Sequence, residues 1–345
     1  MRALLAHKPR GSLQVETLPD PACPKDGAIV RMMACGVCRS DHHAWVGVDP
    51  DVHFPHVMGH EMAGVIEEVG PDCTLQIGQR VTAPFILGCG TCSDCQNGNA
   101  TICETQNVIG FTMQGAFAEL IAVPNADFNL IPLPDDLDYE IAAGMGCRVT
   151  TAYRAVAERG ALQAGETMAV FGAGGVGLSA VMIGKALGAE VIAVDISPDA
   201  LAMAEKLGAD HLVNPNDGDA ALQIMEITHG GVDLAIEALG REVTYDMGLR
   251  AMRKLGRYVQ VGMPTGADAT PTLPLLDLVY ARQLSLHGTR GIAPQGFASL
   301  LDLVEKSDMP LGALVTDRID LMGVEPVLRA MDGTQAAGIS VVTEF

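Results

Sequence analysis

The sequence is short of basic residues and of long apolar runs, and each shortage excludes a class of protein. Only 22 Lys and Arg stand against 42 Asp and Glu, which gives a formal net charge of -20. Such an excess repels phosphate backbones and anionic lipid heads, so nucleic acid and membrane surfaces are excluded as partners. The most apolar stretch, residues 168–189, contains a glycine cluster and Lys185. It therefore lacks the character of a membrane-spanning helix.

A secretory signal is also missing, because residues 1–11 hold only a short apolar run before polar residues and proline. Aromatic residues make up only 4% of the chain, whereas hydrophobic residues make up 48% and Gly occupies 39 of 345 positions. This profile suits a glycine-rich α/β enzyme of about two domains and excludes a disordered chain. The nine cysteines are odd in number and four are clustered, which favours metal binding in a reducing cytoplasm over disulfides.

The pattern of predicted strands and helices divides the chain into two parts. To about residue 145 it shows short strands between turns, which predicts an all-β region with long loops. From about residue 149 apolar strands at 168–171, 191–194, 211–213, 232–236 and 257–261 alternate with helices. That alternation predicts a parallel, doubly wound sheet. We therefore predict one domain from 1–148 plus 288–345 and a nucleotide-binding domain from 149–287.

Four closely spaced cysteines lie in a loop at about 88–104, namely Cys89, Cys92, Cys95 and Cys103. A Cys₄ set with no open position is typical of structural zinc. A zinc ribbon that binds nucleic acid would surround its ligands with basic residues, but Lys and Arg are absent from 86–130. The spacing thus predicts a structural zinc lobe, with buried free cysteines as the weaker alternative.

A glycine cluster follows the apolar strand at 168–171 and opens a helix, and it contains Gly172, Gly174, Gly175, Val176 and Gly177. In this context G-x-G-x-x-G is the dinucleotide fingerprint, which places a pyrophosphate at the helix N-terminus. Asp195, at the end of the next strand, is the carboxylate that binds the ribose hydroxyls of NAD and repels the 2′-phosphate of NADP. The alternative is that Asp195 merely caps the helix that begins near Pro198.

A second, dispersed set consists of Cys38 in GVCRSD, His60 in GHE and Cys147 in GCR. Together with the cysteine lobe and the glycine cluster, this order resembles the zinc-dependent medium-chain alcohol dehydrogenases over nearly the whole chain. The resemblance implies a GroES-like β-rich catalytic domain joined to a Rossmann domain. It also implies that Cys38, His60 and Cys147 hold a catalytic zinc, with one position open to water or substrate.

The resemblance assigns further roles around that zinc. Glu61 lies behind the metal and approaches it when ligands exchange, and Asp41 orients the His60 ring. Ser40 takes the substrate proton and His43 passes it to solvent, whereas the adjacent His42 is expected at the surface. Arg39 can contact the pyrophosphate; many relatives supply a second phosphate contact from a Gly-Arg pair, where this chain has Gly338-Ile339. Trp45 and Phe85 are candidate walls of the substrate pocket by family position, or core residues.

The implied activity is hydride transfer between a small primary or secondary alcohol, or its carbonyl product, and NAD, with two zinc ions per subunit. Relatives of this family are dimers or tetramers that associate through their nucleotide domains, so a homodimer or homotetramer is expected. The nearest alternative is a zinc polyol dehydrogenase, although such relatives often replace the third cysteine ligand by a carboxylate. A non-catalytic protein that binds zinc and nucleotide is the alternative from another class.

Overall fold

The computed structural model describes residues 1–333 and 338–345. The chain forms two compact units, one of 1–150, 291–301 and 311–345, the other of 151–290 and 302–310. These units resemble the predicted division, except that 302–310 fall in the second unit; the limits of independently folding domains stay a prediction. Within the described part of the chain, every helix is too short or too polar to cross a lipid bilayer.

The first unit is rich in strands. Its N-terminal part contains β1 to β10, which are Arg2–Ala6, Leu13–Thr17, Ala28–Val37, His56–Val57, Glu61–Val69, Arg80–Thr82, Ile86–Leu87, Asn107–Val108, Leu120–Val123 and Ile131–Pro132. Its helices are α1 to α4, at Arg39–Val46, Ser93–Gln96, Ala126–Asn129 and Tyr139–Gly144, with a 3-10 turn at Ala100–Ile102 and a π-helical turn at Met145–Val149. The expectation of an all-β region is therefore wrong, because helix α1 follows β3 and helix α4 packs against β3 and β5.

Strand β3 organises the main sheet of this unit. It pairs antiparallel with β5 and with β18 (Ile339–Glu344), which in turn pairs parallel with β17 (Val315–Asp320). The β3–β5 register sets Gly36 opposite Glu61. Consequently the residue after β3, Cys38, and the residue before β5, His60, lie at the same end of the sheet.

The second unit contains a six-stranded parallel sheet. Its elements are α5 to α9 (Thr150–Tyr153, Gly175–Ala186, Pro198–Lys206, Ala220–Ile227, Glu242–Ala251), π-helical turns at Arg154–Arg159 and Leu275–Tyr280, and β11 to β16 (Thr167–Phe171, Glu190–Val194, His211–Val213, Val232–Glu237, Met252–Gln260, Ser285–Gly288). Further elements along the chain are 3-10 turns at Pro215–Asp217, Gly266–Ala269, Leu311–Leu314 and Leu321–Gly323, and helices α10 (Pro294–Ser307) and α11 (Val324–Ala330).

The order of this sheet is β13-β12-β11-β14-β15-β16, with every neighbouring pair parallel. The predicted doubly wound arrangement is confirmed. The strand order reverses between β11 and β14, and in open α/β sheets ligands bind outside the carboxyl ends of the strands at such a switch point. The glycine cluster follows β11 and therefore lies there.

Candidate functional site

The dispersed cysteine and histidine residues converge in the first unit. Cys38 follows β3 as the N-cap of α1, His60 precedes β5, and Cys147 lies in the π-helical turn at Met145–Val149. One ligand atom from each of these residues and from Glu61 lies within 4.8 Å of the others, and all four side chains are buried. A tetrahedral zinc site with bonds of about 2.0–2.3 Å has edges of roughly 3.3–3.8 Å. The donor set therefore fits zinc in both chemistry and size.

Asp41 connects two of these segments. One carboxylate oxygen accepts the backbone N–H of Cys38 at 2.8 Å, and the other lies 2.9 Å from His60 Nδ1 and accepts the Gly59 N–H at 3.1 Å. Asp41 and His60 are fully buried. Holding Nδ1 in this way leaves Nε2 of His60, which has no partner among the described residues, to face the cysteines as a ligand.

The titratable groups of the cluster shift one another's pKa values. A hydrogen bond from Cys147 lowers the pKa of the Cys38 thiol well below its usual range, and the same contact raises the pKa of Cys147. Burial alone would lower the pKa of His60, but the adjacent charge of Asp41 and the Cys38 thiolate raise it well above its usual range. Zinc requires thiolates and a neutral imidazole, so its binding would release protons from this cluster.

Arg148 is a site residue that the sequence analysis did not identify. Its side chain is buried beside Glu61, with Nε 3.3 Å from Glu61 Oε1, and its Nη2 donates to the Val37 carbonyl. Burial raises the pKa of Glu61 to about 8 even though Arg148 opposes that shift. The GCR motif carried the only signal for it, and a basic residue next to a metal ligand does not by itself indicate a buried ion pair.

Aromatic rings flank the His60 imidazole. Phe85 and Phe111 contact it edge-on, with ring centroids 5.6 and 5.4 Å away. Phe85 thus lies beside the cluster, and Phe111 was missed because its segment carries no motif. Trp45 is fully buried and donates its indole N–H to the Gly11 carbonyl at 2.8 Å. Those contacts are packing contacts, so they do not support Trp45 as a pocket wall, and that role stays a prediction.

The predicted proton relay lies on α1, directly after Cys38. Ser40 Oγ is 4.0 Å from Cys38 Sγ, and both Ser40 and His43 are half-buried. Burial, with the neighbouring charges of His42 and Arg39, lowers the pKa of His43. A neutral His43 imidazole is able to accept a proton near pH 7. The relay itself stays a prediction.

The expectation that His42 is a surface residue is wrong. It is only 7% exposed, and its Nε2 lies 3.0 Å from an Asp332 carboxylate oxygen. The helical period explains the error, since α1 turns His42 inward together with Trp45. Arg39 is exposed and donates to the Met331 carbonyl. Ile339, at the position of the family's arginine, is 1% exposed and therefore packs in the core.

The four-cysteine loop closes on itself as the spacing predicts. Ligand atoms of all four cysteines lie within 4.8 Å of one another, with Cys89–Cys95 and Cys92–Cys103 sulfur distances of 3.9 and 3.8 Å. A tetrahedral site with Zn–S bonds of about 2.3 Å has edges of about 3.8 Å. Hydrogen bonds from Thr91 and the Cys92 backbone lower the pKa of Cys89 to about 5. The loop therefore fits a four-thiolate metal site.

In the second unit the glycine cluster forms an open turn at the start of α6. Gly172 has a left-handed φ of +99°, and a Cβ at Gly177 would lie 1.7 Å from the Gly172 carbonyl oxygen, so both positions require glycine. Gly174 is the N-cap, receives no side-chain cap and has no atom within 4 Å of where its Cβ would stand. Free N–H groups beside open space, near Gly175 and Val176, suit a phosphate.

Asp195 is held against this turn. One of its carboxylate oxygens accepts the Ala173 N–H at 2.7 Å and the other accepts the Ser197 N–H at 2.9 Å. The N-cap of α7 is Ser197, whose hydroxyl accepts from Ala200 N–H at 3.3 Å. Ser197, and not Asp195, therefore caps helix α7, which removes the alternative explanation for Asp195.

Glu237, at the end of β14, is a second residue that the sequence analysis missed. Its carboxylate is fully buried and accepts the Leu239 and Gly240 N–H groups, each at 2.9 Å, and the Thr244 hydroxyl at 2.7 Å. It thereby fixes the loop after β14, where Leu239 packs over Gly172. A Glu at the end of an apolar strand gives no sequence signal for such a network.

Two family models match the chain, the alcohol dehydrogenase GroES-like domain at 24–135 and the zinc-binding dehydrogenase domain at 175–306. An alcohol dehydrogenase from Geobacillus stearothermophilus is 38% identical over 81% of this chain and 82% of its own length. A sorbitol dehydrogenase from Bacillus subtilis is 34% identical over 80% and 79%. The solved structure of an alcohol dehydrogenase from Thermus sp. ATN1 has a TM-score of 0.91 at 30% identity and covers 100% of both chains.

Proposed function

The chain belongs to the zinc-dependent medium-chain alcohol dehydrogenase family, and from this premise we propose that it transfers hydride between a small alcohol and NAD at a zinc centre. The activity class, zinc-dependent alcohol oxidoreductase, follows from the family. The observation that carries the proposal for this chain is the convergence of Cys38, His60 and Cys147, from three separate segments, with Glu61.

When bound by Cys38, His60 and Cys147, zinc supplies Lewis acidity that lowers the pKa of an alcohol hydroxyl or polarises a carbonyl. Asp41 holds the His60 imidazole in the tautomer that presents Nε2. Ser40, on the first turn after Cys38, is positioned to receive the hydroxyl proton, and His43 to pass it on. NAD, held at the glycine turn and by Asp195, would supply the hydride acceptor for the alcohol carbon.

NAD rather than NADP is the cofactor we propose. The open turn at Gly174 provides N–H groups for the pyrophosphate. The Asp195 carboxylate, fixed by two backbone N–H groups, supplies acceptors for ribose hydroxyls and a negative charge that repels a 2′-phosphate. Arg39 as a further pyrophosphate contact remains part of the proposal.

A second zinc ion is proposed for the lobe of Cys89, Cys92, Cys95 and Cys103. Its role is structural, because four thiolates leave no position open to substrate. The Gln295 side chain donates to the Cys95 carbonyl at 3.0 Å, which joins the lobe to the start of α10. Metal loss from the lobe is therefore expected to loosen this part of the first unit.

The proposed assembly is a homodimer or homotetramer associated through the nucleotide units. Strand β16 is the edge of the six-stranded sheet. The segment that leads into it exposes large apolar side chains, namely Leu273, Leu275, Leu276, Tyr280 and Leu286, between 39% and 74% exposed. Apolar surface beside an unpaired strand edge favours association with another copy. Sedimentation equilibrium of the wild type and of L276E would test this.

A polyol dehydrogenase is the second candidate function, since one relative is a sorbitol dehydrogenase. The third ligand position in this chain is Cys147, whereas polyol-type relatives often have a carboxylate there. Initial rates of NADH formation with simple alcohols and with sorbitol, at equal zinc content, would distinguish the two. Higher kcat/KM for sorbitol would favour the second candidate.

Metal content and activity together test the zinc proposal. C147S should lose one zinc equivalent and lose NADH formation, because one of three protein ligands is removed. C23S is the matched control, since Cys23 lies outside both ligand groups. Full activity and full zinc content in C147S would refute the proposed catalytic site. A wild-type protein that binds NAD and zinc but turns over no alcohol would favour the alternative of a non-catalytic protein that binds zinc and nucleotide.

A further inference from the structure

Arg148 connects the three segments that carry the proposed zinc ligands. It follows Cys147 in the chain, its Nη2 donates to the carbonyl of Val37, which precedes Cys38, and its Nε lies 3.3 Å from Glu61 Oε1. Arg148 is 3% exposed and Glu61 is fully buried. The guanidinium thus lies beneath the ligand cluster and away from solvent.

The carboxylate of Glu61 has little freedom in this position. A Cβ on Gly36 would lie 2.0 Å from Glu61 Oε2, so the carboxylate occupies the space that glycine leaves open on β3. One Glu61 oxygen is also within 4.8 Å of the ligand atoms of Cys38, His60 and Cys147. Glu61 is therefore between two cationic partners, the guanidinium on one side and the metal position on the other.

The balance of charge determines whether the Glu61 carboxylate pairs with the Arg148 guanidinium or binds the metal. Two thiolates neutralise the charge of Zn²⁺, so Glu61 adds a negative charge that Arg148 balances. Without the guanidinium, a buried and unpaired carboxylate would have the metal as its nearest cation. A carboxylate oxygen is a good zinc ligand and would enter the coordination sphere as an additional ligand, which weakens the binding of substrate at the fourth position.

We propose that Arg148 is a positioning residue that holds Glu61 paired and off the metal, which keeps the fourth coordination position open to substrate. This inference rests on the proposed function, because it concerns the zinc held by Cys38, His60 and Cys147. In this inference Arg148 and the metal compete for the Glu61 carboxylate. Access of substrate to the metal then depends on Arg148, a residue that does not touch substrate.

The test uses full-length protein in which Co²⁺ replaces the catalytic zinc. Four-coordinate Co²⁺ absorbs visible light more strongly than five-coordinate Co²⁺, so the spectrum reports entry of Glu61 into the coordination sphere. R148M should reduce the visible band roughly twofold or replace it by a shifted one, and should weaken binding of free imidazole to the cobalt by about tenfold. R148M/E61Q should restore the wild-type spectrum and imidazole affinity, since the competing carboxylate is gone.

The matched control is R31M. Arg31 on β3 donates to Glu67 on β5 at 2.8 Å, an Arg–Glu contact in the same unit that also involves a glutamate of β5 but is exposed. R31M should leave the cobalt spectrum unchanged. R148K, which retains charge but lacks the planar fork, should give an intermediate spectrum; this variant carries the test if R148M fails to fold.

A cobalt spectrum and imidazole affinity equal to wild type in R148M, or in R148K if R148M does not fold, would overturn the inference while the proposed function stands. Failure of R148M/E61Q to restore the spectrum would overturn it as well, because the effect would then not act through Glu61. A wild type that binds cobalt only at the four-cysteine lobe would instead refute the proposed function, and the inference with it.

Discussion

Replacement of Asp195 by asparagine should reverse much of the proposed preference for NAD. An ionised carboxylate has about four acceptor sites. The Ala173 and Ser197 N–H groups occupy one site on each oxygen, which leaves two for the ribose hydroxyls. An asparagine oxygen has two sites, of which one is taken by a backbone N–H, and the amide NH₂ would oppose the other N–H. Only one neutral acceptor site for the ribose hydroxyls then remains.

The magnitude follows from these losses. A hydrogen bond to a charged group contributes about 1.5–3 kcal/mol, and 1.4 kcal/mol corresponds to a tenfold change in affinity. NADH should therefore bind about 10- to 100-fold more weakly to D195N. Repulsion of the 2′-phosphate of NADPH disappears with the charge, so NADPH should bind about tenfold more tightly or better. The ratio of the two dissociation constants should change by about 100-fold or more.

Direct titration of NADH and NADPH, followed by the fluorescence of the reduced nicotinamide, measures both dissociation constants without knowledge of the alcohol. D199N is the matched control, since Asp199 is exposed in the first turn of α7. Its two dissociation constants should equal those of the wild type. A ratio in D195N within about threefold of the wild-type ratio would refute the role that we assign to Asp195, because the lost charge would then not face the ribose.

Three further predictions concern the first unit. Ser40→Ala should lower kcat by about 10²-fold or more while zinc content stays intact, because the first proton acceptor is lost; near wild-type turnover would remove Ser40 from the relay. Arg39→Ala should raise the dissociation constant of NAD about tenfold through loss of a charged phosphate contact, measured by calorimetry, and an unchanged value would exclude the contact. Cys103→Ser should release one zinc equivalent to a chromogenic chelator and lower the melting temperature while Cys147 keeps its metal, and retention of both zinc ions would contradict a four-thiolate site.

Sequence alone was sufficient wherever the chemistry is encoded within one short segment. The lobe of four cysteines closes as its spacing predicts. The alternation of apolar strands and helices likewise predicted the parallel sheet, because burial on both faces leaves continuous apolar runs. The role of Asp195, predicted from its place at the end of the strand after the glycine turn, stays a prediction.

Convergence of Cys38, His60 and Cys147 came from the resemblance to known enzymes and not from their spacing, because 109 positions separate the first from the last. Short helices within the strand-rich part were missed, since α1 and α4 extend over only 8 and 6 residues. Such lengths give a weak periodic signal.

Tertiary structure alone decided which charged side chains are buried together. Arg148 meets Glu61 because the π-helical turn at Met145–Val149 packs against β5, whose register with β3 sets Glu61 opposite Gly36. The register of two strands depends on the packing of the whole sheet. A local sequence pattern therefore does not predict which distant residue lies opposite a given residue. The same holds for His42 beside Asp332 and for the backbone donors gathered around Glu237. The sequence thus determined the kinds of site, and long-range strand pairing determined which residues surround them.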